Sequence, residues 1–257
     1  MRATGAGAIT VGPMFAVVLL ALMVIAAAVA LVGRLGVSRA VLTASVRAVA
    51  QLAIVSLLIT AVLRSWWATA AFITLMILVA AATSARRVST LRLGWGVVLP
   101  IVTGAVPIGA LIVVARTMPL TTVSVLPVAG ILIGGAMTAT SLAGRRALDE
   151  LRNRHGEYEA ALALGFLPRD AALEVCRPTA GQALVPALDQ TRTVGLVTLP
   201  GAYVGVLLGG GSAIQAGATQ VLVLVALLAV EATAAAVTVE LVAGGILRPR
   251  QPGARRS

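Results

Sequence analysis

The stretch Thr117–Gly144 reads TMPLTTVSVLPVAGILIGGAMTATSLAG, and no charge interrupts it before Arg145. A bilayer's hydrocarbon core is about 30 Å thick and a helix rises about 1.5 Å per residue, so about 20 mostly apolar residues cross it. Thr117–Gly144 exceeds that length, and so do the uncharged runs Ser65–Ala85, Leu93–Ala115 and Thr193–Val230. Of the 257 residues, 59% are hydrophobic and 11% charged, with a mean hydropathy of +1.02. So few charges do not cover a soluble domain of this size.

The chain therefore reads as all-α, a polytopic transmembrane helical bundle forming one domain over residues 1–257 with about seven spans. These fall near Met14–Val32, Val41–Leu63, Trp66–Ser84, Gly94–Ala115, Val123–Ala143, Leu184–Leu208 and Ile214–Leu247. The last is long enough that its ends project or the helix tilts. Ala28-Val29-Ala30 resembles a signal-peptide cleavage site. The apolar run before it is too long, however, and Arg2 is its only preceding charge, so a first transmembrane helix is expected.

The net charge is +11 and all 20 basic residues are arginine. Arginines cluster in the cytoplasmic loops of membrane proteins. With the spans above, fifteen fall on one side of the membrane and three (Arg2, Arg64, Arg116) on the other, while Arg47 and Arg192 lie inside spans. The expected orientation is N-terminus outside and C-terminus cytoplasmic, in the inner (plasma) membrane of a bacterium. The arginine excess is then a topology signal in contact with lipid, and no nucleic-acid partner is needed to explain it. Trp66, Trp67 and Trp95 lie at span ends, as an interfacial aromatic belt places them. The single cysteine, Cys176, has no partner for an internal disulfide and reads as a small apolar residue.

One connection is long, about residues 144–183, and it holds six of the nine acidic residues: Asp149, Glu150, Glu157, Glu159, Asp170 and Glu174. It reads as helix, break, short helix, break, helix. Residues 145–154 continue helically out of the fifth span, Gly156 and Gly165 bracket the short piece, and Pro168 suits a first helical turn, where its missing N–H is no loss. The short piece is Glu159-Ala160-Ala161-Leu162-Ala163-Leu164-Gly165. Alanines favour helix and allow close approach, Gly165 permits the left-handed turn that ends it, and Leu162, Leu164 and Phe166 offer apolar contact. By itself this could equally be an amphipathic helix on the membrane surface.

The same piece resembles the EAA-type coupling loop of ABC importer-like permeases, a Glu-Ala-Ala followed four positions on by Gly. Around it, residues 136–211 resemble the FetB family of ABC permeases, implicated in iron export, with plant relatives linked to aluminium tolerance. The matching residues include Met137, Ser141-Leu142, Leu148, Glu150-Leu151, Glu159-Ala160, Leu162-Ala163-Leu164-Gly165, Ala183-Leu184, Pro186, Val194-Gly195-Leu196-Val197, Leu199-Pro200-Gly201, Gly205 and Leu208-Gly209-Gly210. Upstream, Arg47-Ala48 and Gln51-Leu52 also fit. The resemblance implies a homodimeric permease that binds no cofactor itself and works with a separate ABC-type ATP-binding subunit, which holds ATP and magnesium. The coupling residues it implies are Glu159, Ala160, Ala161, Leu162, Leu164 and Gly165. The chain departs from the family pattern where Gly135 and Thr138 replace Asn, Thr191-Arg192 and Ala202-Tyr203 replace methionine pairs, and Val206 replaces Gln. Sulfur and amide oxygen suit soft or borderline metals, so these departures leave the metal ligands unknown.

Five charges fall inside the spans: Arg47, Asp189, Arg192, Glu231 and Glu240. Each costs at least about 2.5–3.5 kcal/mol to insert and needs a partner or a watery cavity. Arg47, Asp189, Arg192 and Glu240 lie near cytoplasmic ends and are placed to neutralise one another, with Asp189 and Arg192 at i, i+3. Glu231 lies nine residues before Glu240, about 13 Å deeper, with no evident cation. Arg47, Gln51, Asp189, Gln190, Arg192 and Glu231 are the candidate translocation-path residues, although each could instead make an ordinary interhelical contact. Gly130 and Gly134, and Gly201, Gly205 and Gly209, recur at four-residue spacing that permits close helix approach. Pro200 should kink the sixth span, making Pro200, Gly201 and Gly205 a candidate gate.

No phosphate-binding GxxxxGK[ST], CxxC or HExxH occurs, so the chain is expected not to be an enzyme and to rely on a partner for ATP hydrolysis. The favoured reading is the permease subunit of a metal-ion exporter. An ion-coupled secondary transporter and an ABC exporter of a non-metal small molecule are the alternatives. The arginine asymmetry predicts that a reporter fused after Arg256 is active only in the cytoplasm and one fused before Arg2 only outside; the opposite pattern would overturn the orientation.

Overall fold

The computed structural model describes residues 12–88 and 94–247. Arg2, Arg92, Arg248, Arg250, Arg255 and Arg256, counted in the charge asymmetry, lie outside the described residues, as does the side chain of Trp95. The described residues are overwhelmingly helical, and the chain divides into two compact units at Val62/Leu63.

The first unit holds α1 (Pro13–Val32) and nearly all of α2 (Ser38–Leu63). Pro13 starts α1 at a position where no N–H is required. The two helices line an apolar groove, with Phe15, Leu19, Leu22 and Met23 on one side and Ser45, Val49 and Leu52 on the other. Ala30 is the one buried residue of α1 and Val62 the one buried residue of α2. Apolar side chains exposed along both helices are what a lipid-facing or partner-facing pair displays.

The second unit begins with α3 (Trp66–Val88), whose Trp66 and Trp67 are exposed at its start. A 3₁₀ turn at Gly94–Val97 leads into α4 (Val98–Val114), and then comes α5 (Thr122–Asn153). Thr121 caps α5 by accepting the Ser124 N–H at 3.3 Å. Two short helices follow, α6 (His155–Ala163) and α7 (Pro168–Ala180). The chain then runs through a 3₁₀ turn at Gly181–Leu184 into α8 (Val185–Thr193), α9 (Gly201–Leu208) and α10 (Ala213–Ala243). A reciprocal capping box starts α10: Ser212 Oγ accepts from Gln215 N at 3.2 Å, and Gln215 Oε1 accepts from Ser212 N at 2.9 Å.

Five helices, α1, α2, α3, α5 and α10, are long and apolar enough to cross a membrane, and α4 is a shorter apolar helix of 17 residues. The polytopic helical bundle is therefore present. The expected sixth span is not one helix. Helix α8 stops at Thr193, Gly195 adopts φ +81°, and Pro200 caps α9 in an extended conformation. Pro200 lacks the N–H a continuing helix needs and pushes Leu199 out of the helical region. The expected kink is thus a full break.

Small residues bring α5 and α10 together at the centre of this unit. Ala136, Ala139 and Ala143 of α5 are fully buried, as are Val230, Ala234 and Thr238 of α10, spaced i, i+4, i+8. A Cβ at Gly135 would lie 2.3 Å from Leu227 Cδ1, one at Gly144 2.7 Å from Val88 Cγ1, and one at Gly104 of α4 2.9 Å from the Val230 carbonyl oxygen. Gly130 also has a close neighbour, Met76 Cε at 3.0 Å. Gly134, Gly201 and Gly205 have none within 4 Å, so the expected close approach along the sixth-span glycines is not found among the described residues. Ser84 Oγ of α3 donates to the Met137 carbonyl at 3.1 Å and, its one proton used, accepts from Ser141 Oγ at 2.9 Å, which fixes α3 beside α5.

In the folded bundle, Gly135→Ala should cost about 1–3 kcal/mol by overpacking, whereas Gly134→Ala, one residue away with free space, should be neutral or slightly stabilising. Thermal unfolding of the two variants in detergent checks this; equal Tm values would contradict the α5–α10 packing.

Candidate coupling and translocation site

Helix α5 has 32 residues, about 48 Å at 1.5 Å each. It outlasts a bilayer core of about 30 Å, so its last turns leave the apolar zone where Arg145 and Arg146 begin. Arg154 then ends α5 and starts α6. Its Nε donates to Glu157 Oε1 at 2.8 Å, its Nη2 pairs with Glu157 Oε2, and its Nη1 lies 3.8 Å from Glu150 and 3.5 Å from the Val175 carbonyl. One guanidinium thus ties the end of α5, the first turn of α6 and the flank of α7. The hydrogen bond from Arg154 holds the Glu157 carboxyl below its ordinary range, and the same bond raises Arg154.

At its other end α6 stops in a Schellman turn. Gly165 N donates to the Leu162 carbonyl at 2.9 Å, Phe166 N to the Ala161 carbonyl at 3.1 Å, and Gly165 has φ +90°. No atom lies within 4 Å of a Cβ at Gly165, so backbone conformation rather than space selects glycine there. Helix α6 has no buried residue. Glu159 and Ala160 are exposed, Ala161 and Leu162 are half-buried, and Leu164, Phe166 and Leu167 present exposed apolar surface. His155 Nδ1 lies 3.4 Å from Glu159 Oε1, both on the exposed side. Gly156 lies inside α6 and does not break the chain before it.

Helix α7 is anchored. Ala171, Ala172, Leu173, Val175 and Cys176 are buried, and it packs on both α5 and α10. The Cys176 thiol donates to the Ala147 carbonyl at 3.5 Å. Burial, with Glu150 nearby, pushes this thiol up to about 11.

The candidate path residues do not form one cluster. Asp189 and Arg192 pair at 3.8 Å across i, i+3, and both are exposed. Gln190 is exposed beside them. Glu240 does not join them: Arg169 Nη2 reaches its Oε2 at 2.5 Å and Arg177 Nη2 its Oε1 at 3.4 Å. The reason is that α7 folds back across the end of α10 and brings two long guanidinium side chains closer than α8 can. Arg47 and Gln51 lie one turn apart on α2, exposed, in the first unit. Glu231 is 6% exposed and has no hydrogen-bond or ion-pair partner among the described residues. It sits against Gly135 of α5, where a Cβ would come within 3.1 Å of its Oε1. Pro200 and Gly201 stand at the break between α8 and α9, bordered by exposed Leu196, Val197 and Leu199, while Gly205 lies a turn further on inside α9.

Two further buried polar groups escape a search for charges: Thr140 Oγ1 on α5 and Gln220 Oε1 on α10 lack a hydrogen-bond partner among the described residues. Gln220 precedes Glu231 by eleven residues, three turns, and so shares its face. That i, i+11 spacing was the signal in the sequence.

The fold defines a polytopic α-helical membrane protein with a structured, partly exposed helical loop. The chain belongs to the uncharacterised protein family UPF0014, whose pattern matches residues 14–246. The UPF0014 membrane protein STAR2 of Oryza sativa subsp. japonica is 32% identical over 218 residues, 83% of this chain and 76% of the relative. Protein ALUMINUM SENSITIVE 3 of Arabidopsis thaliana is 38% identical over 114 residues, 44% of this chain and 42% of the relative. The probable iron export permease protein FetB of Escherichia coli (strain K12) is 29% identical over 114 residues, 44% of each chain. No solved structure matches.

Because only the thiolate attacks maleimide, Cys176 should stay unmodified at about pH 8 in the folded protein and react fully once it is unfolded in detergent. Ready labelling of the native protein would show that α7 is not packed as described.

Proposed function

We propose that this chain is the permease subunit of an ATP-driven exporter whose cargo is a metal cation, and that α6 is where a separate ATP-binding subunit engages it. The observation that carries this reading is the contrast between α6 and α7. A nine-residue helix with no buried residue is clamped at one end by Arg154 and stopped at the other by Gly165. It is joined directly to a helix buried against α5 and α10. Such an element offers a stiff, small-residue surface to a partner and is rigidly connected to the bundle. Glu159, Ala160 and Leu164 are the exposed contact residues, Ala161 and Leu162 brace them, and Gly165 sets the turn.

The iron-export name of the Escherichia coli relative supports a metal as cargo. So does the chemistry of the buried polar groups: Glu231, Gln220 and Thr140 offer oxygen donors, which suit hard or borderline cations. Among the described residues no cluster of three or more His, Cys, Asp or Glu forms a tight metal site, and a transported ion must be released as well as bound. ATP and magnesium belong to the partner subunit, and this chain needs no cofactor of its own. A second copy of the permease would match two ATPase subunits by two-fold symmetry. It would also cover the irregular backbone of Val194–Pro200, which a bilayer tolerates only against protein or a hydrated cavity. Asp189, Gln190 and Arg192 then border that cavity, with Pro200, Gly201 and Gly205 at its moving edge.

A left-handed backbone at a β-branched residue is strained by about 1–2 kcal/mol, whereas Asn tolerates it. Gly165→Val should therefore insert normally yet lose co-purification with the ATPase and lose ferrous-iron export, while Gly165→Asn keeps both. Equal export by the two variants would sink the coupling role. Glu231→Gln should assemble but lose ferrous-iron-stimulated ATP hydrolysis; a stimulation curve that overlays the parent's would remove Glu231 from the path.

A further inference from the structure

The ion pairs at the end of α10 are weak, yet they are specifically arranged. Glu240 lies three residues before the last residue of α10, Ala243. A carboxylate there opposes the negative end of the helix dipole, so it needs nearby cations. Arg169 and Arg177 supply them from opposite ends of one short helix. Eight residues separate them, about 12 Å along α7, yet their guanidinium groups converge on the two oxygens of one carboxylate. A grip from both ends sets how α7 is rotated across α10, which a single pair would leave free. Arg169 also touches Asp170 at 3.4 Å.

Magnitude separates this grip from a structural staple. All three side chains are 40–62% exposed, and pairs this exposed add little net stability. The attachment of α7 rests instead on its buried face from Ala171 to Cys176. The grip is therefore cheap to break and re-form. Helix α10 continues unbroken from Glu240 to Glu231, nine residues or about 13 Å, so rotation at one position is felt at the other.

We propose that Glu240, held by Arg169 and Arg177, is a positioning residue that transmits movement of α6 and α7 to α10 and hence to the buried Glu231. This inference rests on the ATPase-driven reading of α6. The test is a cysteine at Thr233, half-buried on α10, placed in a Cys176→Ala background and labelled with a membrane-permeant maleimide, with and without ATP, in the complex with the ATPase. In the parent, ATP changes the labelling rate. Glu240→Gln should leave Tm, co-purification and basal ATP hydrolysis at parental values while the ATP-dependent change in labelling falls about fivefold or more, the lower end of coupling between sites. The reversed set Glu240→Arg with Arg169→Glu and Arg177→Glu should restore it. A parental ATP response in Glu240→Gln overturns the proposal, and so does a loss of Tm or of the complex, which would make the grip a structural staple. A parent that shows neither ATPase binding nor an ATP response retires the ATPase-driven reading, and the transmission role with it.

Discussion

Between two helices in lipid there is no hydrophobic driving force, because the surrounding tails are as apolar as leucine; association depends on how closely the backbones approach. In the second unit that approach is concentrated where α5 meets α10, with Gly135, Ala136, Ala139, Ala143 and Gly144 facing Leu227, Val230, Ala234 and Thr238. The other elements attach to this pair. Helix α4 uses Gly104 to reach the Val230 backbone, α3 is fixed beside α5 through Ser84 and Ser141, and α7 closes on Ala147 through Cys176. Glu231 is a carboxyl carried into the tightest part of this packing, in space that Gly135 leaves open. A side chain at residue 135 and a carboxyl at 231 compete for the same volume.

What was legible in the sequence was what local chemistry decides. Long, mostly apolar stretches mark the five long helices, Pro168 the start of α7, and Gly165 the stop of α6. Arg86 and Arg87 lie in the last turn of α3, Arg145 and Arg146 follow the apolar part of α5, and Arg116 comes just after α4. What was not legible depends on which neighbour arrives. Four-residue glycine spacing identifies helices able to pack closely, but Gly201 and Gly205 meet nothing while Gly104 and Gly144, outside any such pattern, are crowded. Hydropathy averages over Val194–Pro200 and so reads a span where Gly195 and Pro200 break it. The sequence places Glu240 beside the charges of α8 because it marks α7 as a helix without showing that this helix folds back across α10.

Membership of UPF0014 and the permease name of one relative agree with a transport role. On the proposed reading, the molecule divides its work by exposure. Helix α6 stays outside the packed bundle and keeps its shape through a clamp and a turn, both local. Helix α7 is packed and carries displacement inward, and α5 and α10 hold buried oxygen atoms that lack partners among the described residues. Buried polar groups without partners cost free energy. In a transporter, water or a passing cation offsets that cost.

The partner that touches α6 decides whether this chain is an ATP-driven permease. A photo-reactive amino acid at Ala160, activated in cells, should form a covalent adduct with one protein, identified by mass spectrometry as a nucleotide-binding subunit with a phosphate-binding loop. The same probe at Trp67, at the far end of α3, should not capture it. Adducts at Ala160 made only with lipid or with another copy of this chain would contradict the assignment of α6 as the ATPase-docking helix.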